Sequence, residues 1–396
     1  MGYREWKRWV GGLPWSMRWF VFIVLLRPVI DSFYSAKEIS PLASPLFIVG
    51  GLMPVLCLLG ILFNPSHKSD FDRPMFFLFL LAILNSVMLF TKELPIFFIF
   101  QSLLKFTNIF ILFYFAKRLV RSLRDLEGIF QTYLYSMIYV LIILLFELLI
   151  HPIRLTQRVE GTLRIQGTFG DIASYGLYLN MMLIILFYRM ARYQTRKWKN
   201  LTIAAIMLIG VAQFRINHIT TLVTSMIIII YNLRARILRN PGLVVLIVAV
   251  IIFIVYERSD SLQQLVGRDV SALQNQDVNI EQFGHGRVGR IESMYDEWIN
   301  LDFFSKTFGI ALFSQDFNAG FLWGTHDDFI RMIMLTGIAG LIIYLWFLLL
   351  FIRRSIKSPP ILSTLGISFF LFLFCYSLSL TPLLYYPVCN ILAPVW

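Results

Sequence analysis

Charge is the first thing this chain is short of. Asp, Glu, Lys and Arg make up 15% of its 396 residues, against about a quarter in a soluble globular domain, and that excludes a water-soluble fold. Cysteine is scarce too. Cys57, Cys375 and Cys389 are odd in number, lie in or beside apolar stretches and fit neither of the common zinc spacings, so neither a disulfide framework nor a metal site is expected. No Walker motif and no dinucleotide fingerprint occurs, so no cofactor is expected and energy from a nucleotide bound to this chain is not. The first apolar run lacks a small-residue cleavage site and reads as a signal anchor rather than a removable leader. Long polar segments are missing everywhere but one place, residues 258–328.

What is present is apolar surface. Hydrophobic residues make up 58% of the chain and the mean hydropathy is +0.72, values of an all-α integral membrane protein. Runs of roughly 17–25 apolar residues suffice to cross a bilayer as helices. They are read near 17–34, 44–63, 74–90, 94–116, 128–150, 172–188, 200–214, 219–233, 241–257, 328–352 and 361–380. The tail 381–396 is interrupted by Pro382, Pro387 and Pro394 and reads as a short further helix or a re-entrant segment. Residues 1–396 are therefore expected to form a single polytopic domain of 11–12 transmembrane helices.

Orientation follows from lysine and arginine, which mark cytoplasmic loops. The segment before the first span (Arg4, Lys7, Arg8, Arg18) is basic, as is every second loop after it: Lys68 and Arg73; Lys117 to Arg124; Arg189 to Lys199; Arg234 to Arg239; Arg353 to Lys357. The N-terminus is thus placed in the cytoplasm, and the net charge of +12 records topology rather than a nucleic-acid surface. Two loops then face outward, a smaller one at 151–171 and the large one at 258–328.

These outward segments carry the candidate chemistry. The 151–171 loop holds Arg154, Arg158 and Arg164 and no lysine; a guanidinium fork matches phosphate and pyrophosphate oxygens, and anionic lipid headgroups would attract it as well. Arg215 stands in a very short outer turn, Phe214 to His218, where two helix ends would hold it; an ordinary snorkelling arginine would look the same. In the large loop, Ile291, Met294, Tyr295 and Trp298 recur at helical spacing. They predict an amphipathic helix over 287–304 on or near the membrane, with Arg287 and Arg290 on one face of its first turn. Thr325 is read as the N-cap of the next span, with Asp327 and Asp328 in its first turn and Arg331 within reach of either. His326 would lie at a positive helix end, which favours the neutral imidazole that can accept a proton; a capping-region histidine without chemistry is the alternative. Inside the first span Arg27 and Asp31 are four apart and can pair on one helix face. Either a bracing ion pair or a substrate contact would account for them.

In order, these landmarks resemble the O-antigen polymerase and O-antigen ligase superfamily, bacterial membrane glycosyltransferases that use polyprenyl-diphosphate-linked glycans. Arg164-Ile-Gln-Gly167-Thr-Phe169 ahead of a new span resembles the family's Arg-Gly-Phe motif, with Gly170-Asp171 where Pro-Asn is usual. Phe214-Arg215 resembles its Ser-Arg-Gly element, with Phe214 and Ile216 as departures. The Gly-Arg pairs at 286–287 and 289–290, Trp298 and Phe308-Gly309 resemble the landmarks of its large loop. His326-Asp327-Asp328 and Gly337-Ile-Ala-Gly340 resemble the His-Asn motif and the helix after it, with Asp327 replacing Asn.

The resemblance implies a GT-C-like fold in the bacterial cytoplasmic (inner) membrane, with its active site facing the periplasm. It implies undecaprenyl-diphosphate-linked glycans as substrates, the lipid bilayer as surroundings, a chain-length regulator as candidate partner, and no nucleic acid, metal or cofactor. Carried over by position, Arg164, Arg215, Arg287 and Arg290 would bind the donor diphosphate. His326, Arg290 and Arg215 would act in catalysis, with Asp327, Asp328, Arg331, Arg27 and Asp31 in support. Polymerase is favoured over ligase because Arg27-Pro28-x-x-Asp31 resembles that branch. A transporter of the same lipid-linked glycan is a third reading, drawn from Arg27, Lys105 and Glu147 inside spans; neither an inverted repeat nor a pair of broken mid-membrane helices is evident in the sequence to accompany them.

Overall fold

A backbone in lipid finds no water to bond and satisfies itself most simply as a helix. The computed structural model describes residues 1–34, 44–65, 68–91, 96–151, 155–157, 163–170, 172–193, 195–216, 218–242, 283–309 and 328–378, with a few isolated positions besides. It has helices at every apolar block read above except 241–257, which falls mostly outside the described residues, as does the tail 381–396. In chain order they are α1 (Tyr3–Gly12), α2 (Trp15–Asp31), α3 (Pro45–Phe63), α4 (Asp72–Met88), α5 (Ile96–Leu119), α6 (Leu123–Leu149), α7 (Ile172–Arg192), α8 (Arg196–Ile216), α9 (Ile219–Ile237), α10 (Phe283–Asn300), α11 (Phe303–Phe308), α12 (Asp328–Lys357) and α13 (Pro360–Ser377).

Among the described residues six helices are long and apolar enough to cross a membrane: Asp72–Thr91, Leu123–Leu149, Ile172–Arg192, Trp198–Ile216, Phe329–Lys357 and Pro360–Ser377. The protein is a multi-pass helical membrane protein. The described exception to helix is an antiparallel hairpin in the smaller loop, β1 (Leu155–Gln157) with β2 (Leu163–Ile165), in which Thr156 lies opposite Arg164.

Helix α7 is the hub, buried on all sides from Tyr175 to Tyr188. Its fully buried Asn180 ties three helices together. The amide donates to the Thr221 carbonyl of α9 (2.9 Å) and to the Tyr376 hydroxyl of α13 (3.0 Å), while Ser225 donates to its oxygen. In the absence of a hydrophobic drive between helices in lipid, such bonds, each worth roughly 0.6–2 kcal/mol, select which helices pair.

One end of the bundle collects the basic loops. There Lys117 pairs with Asp72, Arg354 with Asp70, and Arg192 with Glu127 (3.3 Å), while Arg118 donates to the Asn64 carbonyl (2.9 Å). The short helix α1 closes this end, although no helix is expected there from the hydropathy pattern. Tyr3, Trp6 and Trp9 recur every third residue, and Trp6 and Trp9 face the bundle while Tyr3 stays exposed. Trp9 is buried over Gly128 and donates to Asp125 (2.8 Å), and Trp6 donates to Thr132 (2.9 Å).

Candidate functional site

The other end of the bundle gathers the landmark residues. Its first component is the turn after β2. Residues 165–169 are buried, with Gln166 donating to the Phe169 carbonyl (2.9 Å) and Gly167 at φ +62°, where the Tyr175 ring leaves no comfortable room for a side chain. Phe169 stacks on Tyr175 at 5.1 Å, and Thr168 donates to the Pro28 carbonyl of α2 (3.3 Å). The ring of Tyr34 fills the space where Gly170 would carry a Cβ. The turn is thereby wedged between the end of α2 and the start of α7. This fixes the backbone of β2 and of Arg164 within it; the Arg164 side chain lies outside the described part of the structure.

On α2, one turn from that wedge, Arg27 Nε sits 3.0 Å from the buried Asp31 carboxylate, the pairing that the four-residue spacing predicts. Next to it Ser32 bonds the Tyr139 hydroxyl (2.9 Å) and Ser136 the Tyr178 hydroxyl (2.7 Å), so hydroxyls line the helices facing this end. A half-buried ion pair that loses one partner leaves the other poorly solvated. Asp31→Ala is accordingly expected to cost about 3–5 kcal/mol of stability, read as a lowered thermal midpoint in detergent, and Arg27→Met with Asp31→Leu should recover most of it. An unchanged midpoint in Asp31→Ala would show that the pair does not brace the fold.

Arg215 enters through α8. The Gln213 amide donates to the Gly176 carbonyl near the start of α7 (3.1 Å), and α8 packs against β2. Two residues on, Arg215 is exposed in the last turn of α8, between Phe214 and the buried Ile216. The structure thus brings Arg215, the strand bearing Arg164 and the Arg27–Asp31 pair to one end of the bundle.

The large loop supplies the second component. Helix α10 begins at Phe283, four residues before the expected 287, so Arg287 falls in its second turn and Arg290 three residues further on; the side chains of both lie outside the described part. It ends at Asn300 rather than 304. Asp302 starts a separate helix, accepting from the backbone amides of Phe304 (2.8 Å) and Ser305 (3.0 Å) as the N-cap of α11. The Ser305 hydroxyl and then these amides hold the Asp302 carboxyl below its ordinary range. Its contribution to the cap is therefore present above the unfolded carboxylate pKa and lost as pH falls through the lowered folded value.

The docked face of α10 also differs from the expectation. Met294 and Trp298 pack against Ile330 and Met334 of α12, whereas Ile291 and Tyr295 stay exposed. One seam of the amphipathic face binds protein and the neighbouring seam is left for the surroundings. Helix α12 starts with Asp328, and Arg331 is buried in its first turn. Thr325, His326 and Asp327, just before it, lie outside the described residues, as does the Asp328 side chain, and with them the expected cap and pairings. Phe329 packs on Phe374 of α13 (6.2 Å), and α13 in turn holds α7 through Tyr376 and Asn180, so the start of α12 belongs to the same end as β2 and Arg215.

Among the described residues no group of three His, Cys, Asp or Glu side chains is placed to hold a metal ion. Sequence reasoning missed Thr168, Tyr139, Tyr178 and Asn85 at this end. Asn85 alone carried a signal, an amide in an otherwise apolar block. No family model matches the chain, and no curated protein matches it either.

Proposed function

We propose that the protein is a membrane glycosyltransferase, a polysaccharide polymerase that joins undecaprenyl-diphosphate-linked oligosaccharide repeat units at the outer face of the bacterial cytoplasmic membrane. The observation that carries this reading is the gathering of Arg215, the Arg164 strand and the start of α12 at the bundle end opposite the basic loops. Basic loops mark the cytoplasm, so this end faces the periplasm. The apolar length of block 241–257 suits a further crossing, and on this reading the chain is a GT-C-like enzyme of 11–12 spans with a large outer loop.

The reaction is an inverting transfer. An acceptor sugar hydroxyl attacks the anomeric carbon of the donor glycan, and the bond from that carbon to the diphosphate oxygen breaks. Undecaprenyl diphosphate leaves, held by Arg164, Arg215 and Arg287 or Arg290 as negative charge grows on it. His326 takes the proton of the attacking hydroxyl. The lipid diphosphate bond supplies the energy, so no nucleotide is required.

The test is synthesis. Purified protein in nanodiscs, given lipid-linked repeat units alone, is expected to produce a ladder of lipid-linked chains. No ladder, with transfer only to lipid A core when that acceptor is added, would replace polymerase with ligase. Topology is checked separately: a cysteine at 270–285 should label from outside intact cells and one at 192–199 should not. Reversed labelling would put the donor on the wrong side and end the proposal.

A further inference from the structure

Helix α12 is two helical segments that meet at a kink. Gly337 stands between the two segments at φ +69°, ψ −173°, a backbone state that L side chains rarely adopt. The break is filled by α11. The Thr307 carbonyl and the Phe308 amide occupy the space where Gly337 would carry a Cβ, and reciprocally the Leu335 carbonyl and the Asn85 amide group crowd the Cβ position of Gly309, at φ +119°. Two glycines thus let two backbones meet.

One side chain from a third helix holds the contact. Asn85 of α4 is fully buried, and its amide donates to the Phe308 carbonyl (2.9 Å) as well as to Leu81 in its own helix (2.9 Å). The other end of α11 is tied to α10: Lys306 donates to the Ile299 carbonyl (2.6 Å) and lies over the Trp298 ring (5.5 Å). Trp298 and Met294 are the residues that seat α10 on α12. An unbroken line of contacts therefore runs from Asn85 through α11 to the helix that carries Arg287 and Arg290.

We propose that Asn85 is a positioning residue: by pinning α11 into the Gly337 break it fixes α10, and with it Arg287 and Arg290, against the first segment of α12, at Ile330 and Met334. Its role in transfer rests on the function proposed above; its role as a latch does not. The latch is read by a thiol at Met294, which is buried against Met334.

In a chain with Cys57, Cys375 and Cys389 changed to alanine, Met294→Cys should react slowly with a maleimide, at a rate set by undocking of α10. Asn85→Leu keeps the volume, suits a lipid-buried helix and removes the donor. It should speed that labelling about tenfold, the scale of one lost buried hydrogen bond. Gly337→Ala, which drives a methyl into α11, should act in the same direction. A control thiol at Ala212, buried in α8, should stay protected, because only general unfolding would expose both sites. Unchanged Met294→Cys labelling in both variants would overturn the latch. In the synthesis assay Asn85→Leu should lower kcat, and faster labelling with a normal kcat would overturn the positioning role. If the parent protein with Asn85 intact makes no glycan, faster labelling in the variants leaves the latch standing and the function falls instead.

Discussion

Arg215→Lys is expected to lower glycan transfer by about 10²–10³-fold, the scale of losing one preorganised donor to the charge that develops in a transition state. Arg215 is exposed in the last turn of α8, so its replacement removes no packing. The helix end around it is fixed independently by Gln213 on Gly176 and by the buried Ile216. A lysine ammonium retains the charge and the attraction to anionic headgroups, but it is a point donor and cannot reproduce a planar fork on two diphosphate oxygens. The substitution therefore separates geometry from charge. Initial rates of chain extension in nanodiscs, taken over a range of donor concentrations, measure it. A variant that extends chains at the wild-type rate would assign Arg215 to the headgroups and leave the diphosphate to other residues. On α10, Arg287 and Arg290 are close enough to stand in for one another, so there the double lysine variant is the informative one.

How much of this was legible in the sequence depended on the kind of signal. Apolar length is a one-dimensional property, so among the described residues the blocks became helices where they were expected and the basic loops came together at one end. The four-residue spacing of Arg27 and Asp31 is local and survived as an ion pair. Helix α1 was hidden because its ten residues are too short and too charged to register as a span, although its aromatic repeat was there to be read. The bounds of α10 were misplaced for a different reason. Periodicity runs on through Phe303 and Phe304, and what divides the two helices is the side chain of Asp302 closing on the amides behind it. The break at Gly337 was invisible, because nothing along the chain says that α11 will lie across it. The wedge formed by Thr168, Gly170 and Tyr34 was equally hidden, since its partners lie more than a hundred residues apart.

His326→Ala is expected to reduce transfer by about 10²–10⁴-fold, the usual contribution of a positioned general base, while leaving expression and binding of the lipid-linked donor nearly intact. The argument is one of division of labour. Helix α12 is anchored without His326: Phe329 packs on Tyr344 (5.8 Å) and Phe374, Met334 packs on Met294, and α11 fills the Gly337 break. By sequence, the cap falls to Thr325 and the dipole to Asp327 and Asp328, and on that reading the histidine carries no structural duty. The donor diphosphate is assigned to arginines on β2, α8 and α10, none of which the substitution touches. Losing the base should therefore appear in kcat and spare donor affinity, and a residual rate that rises with pH would mark hydroxide or solvent taking the proton instead. The measurement pairs single-turnover extension of a lipid-linked glycan with direct donor binding in nanodiscs. A near-normal rate would make His326 a bystander of the helix end, and joint loss of binding and rate would move it among the diphosphate ligands.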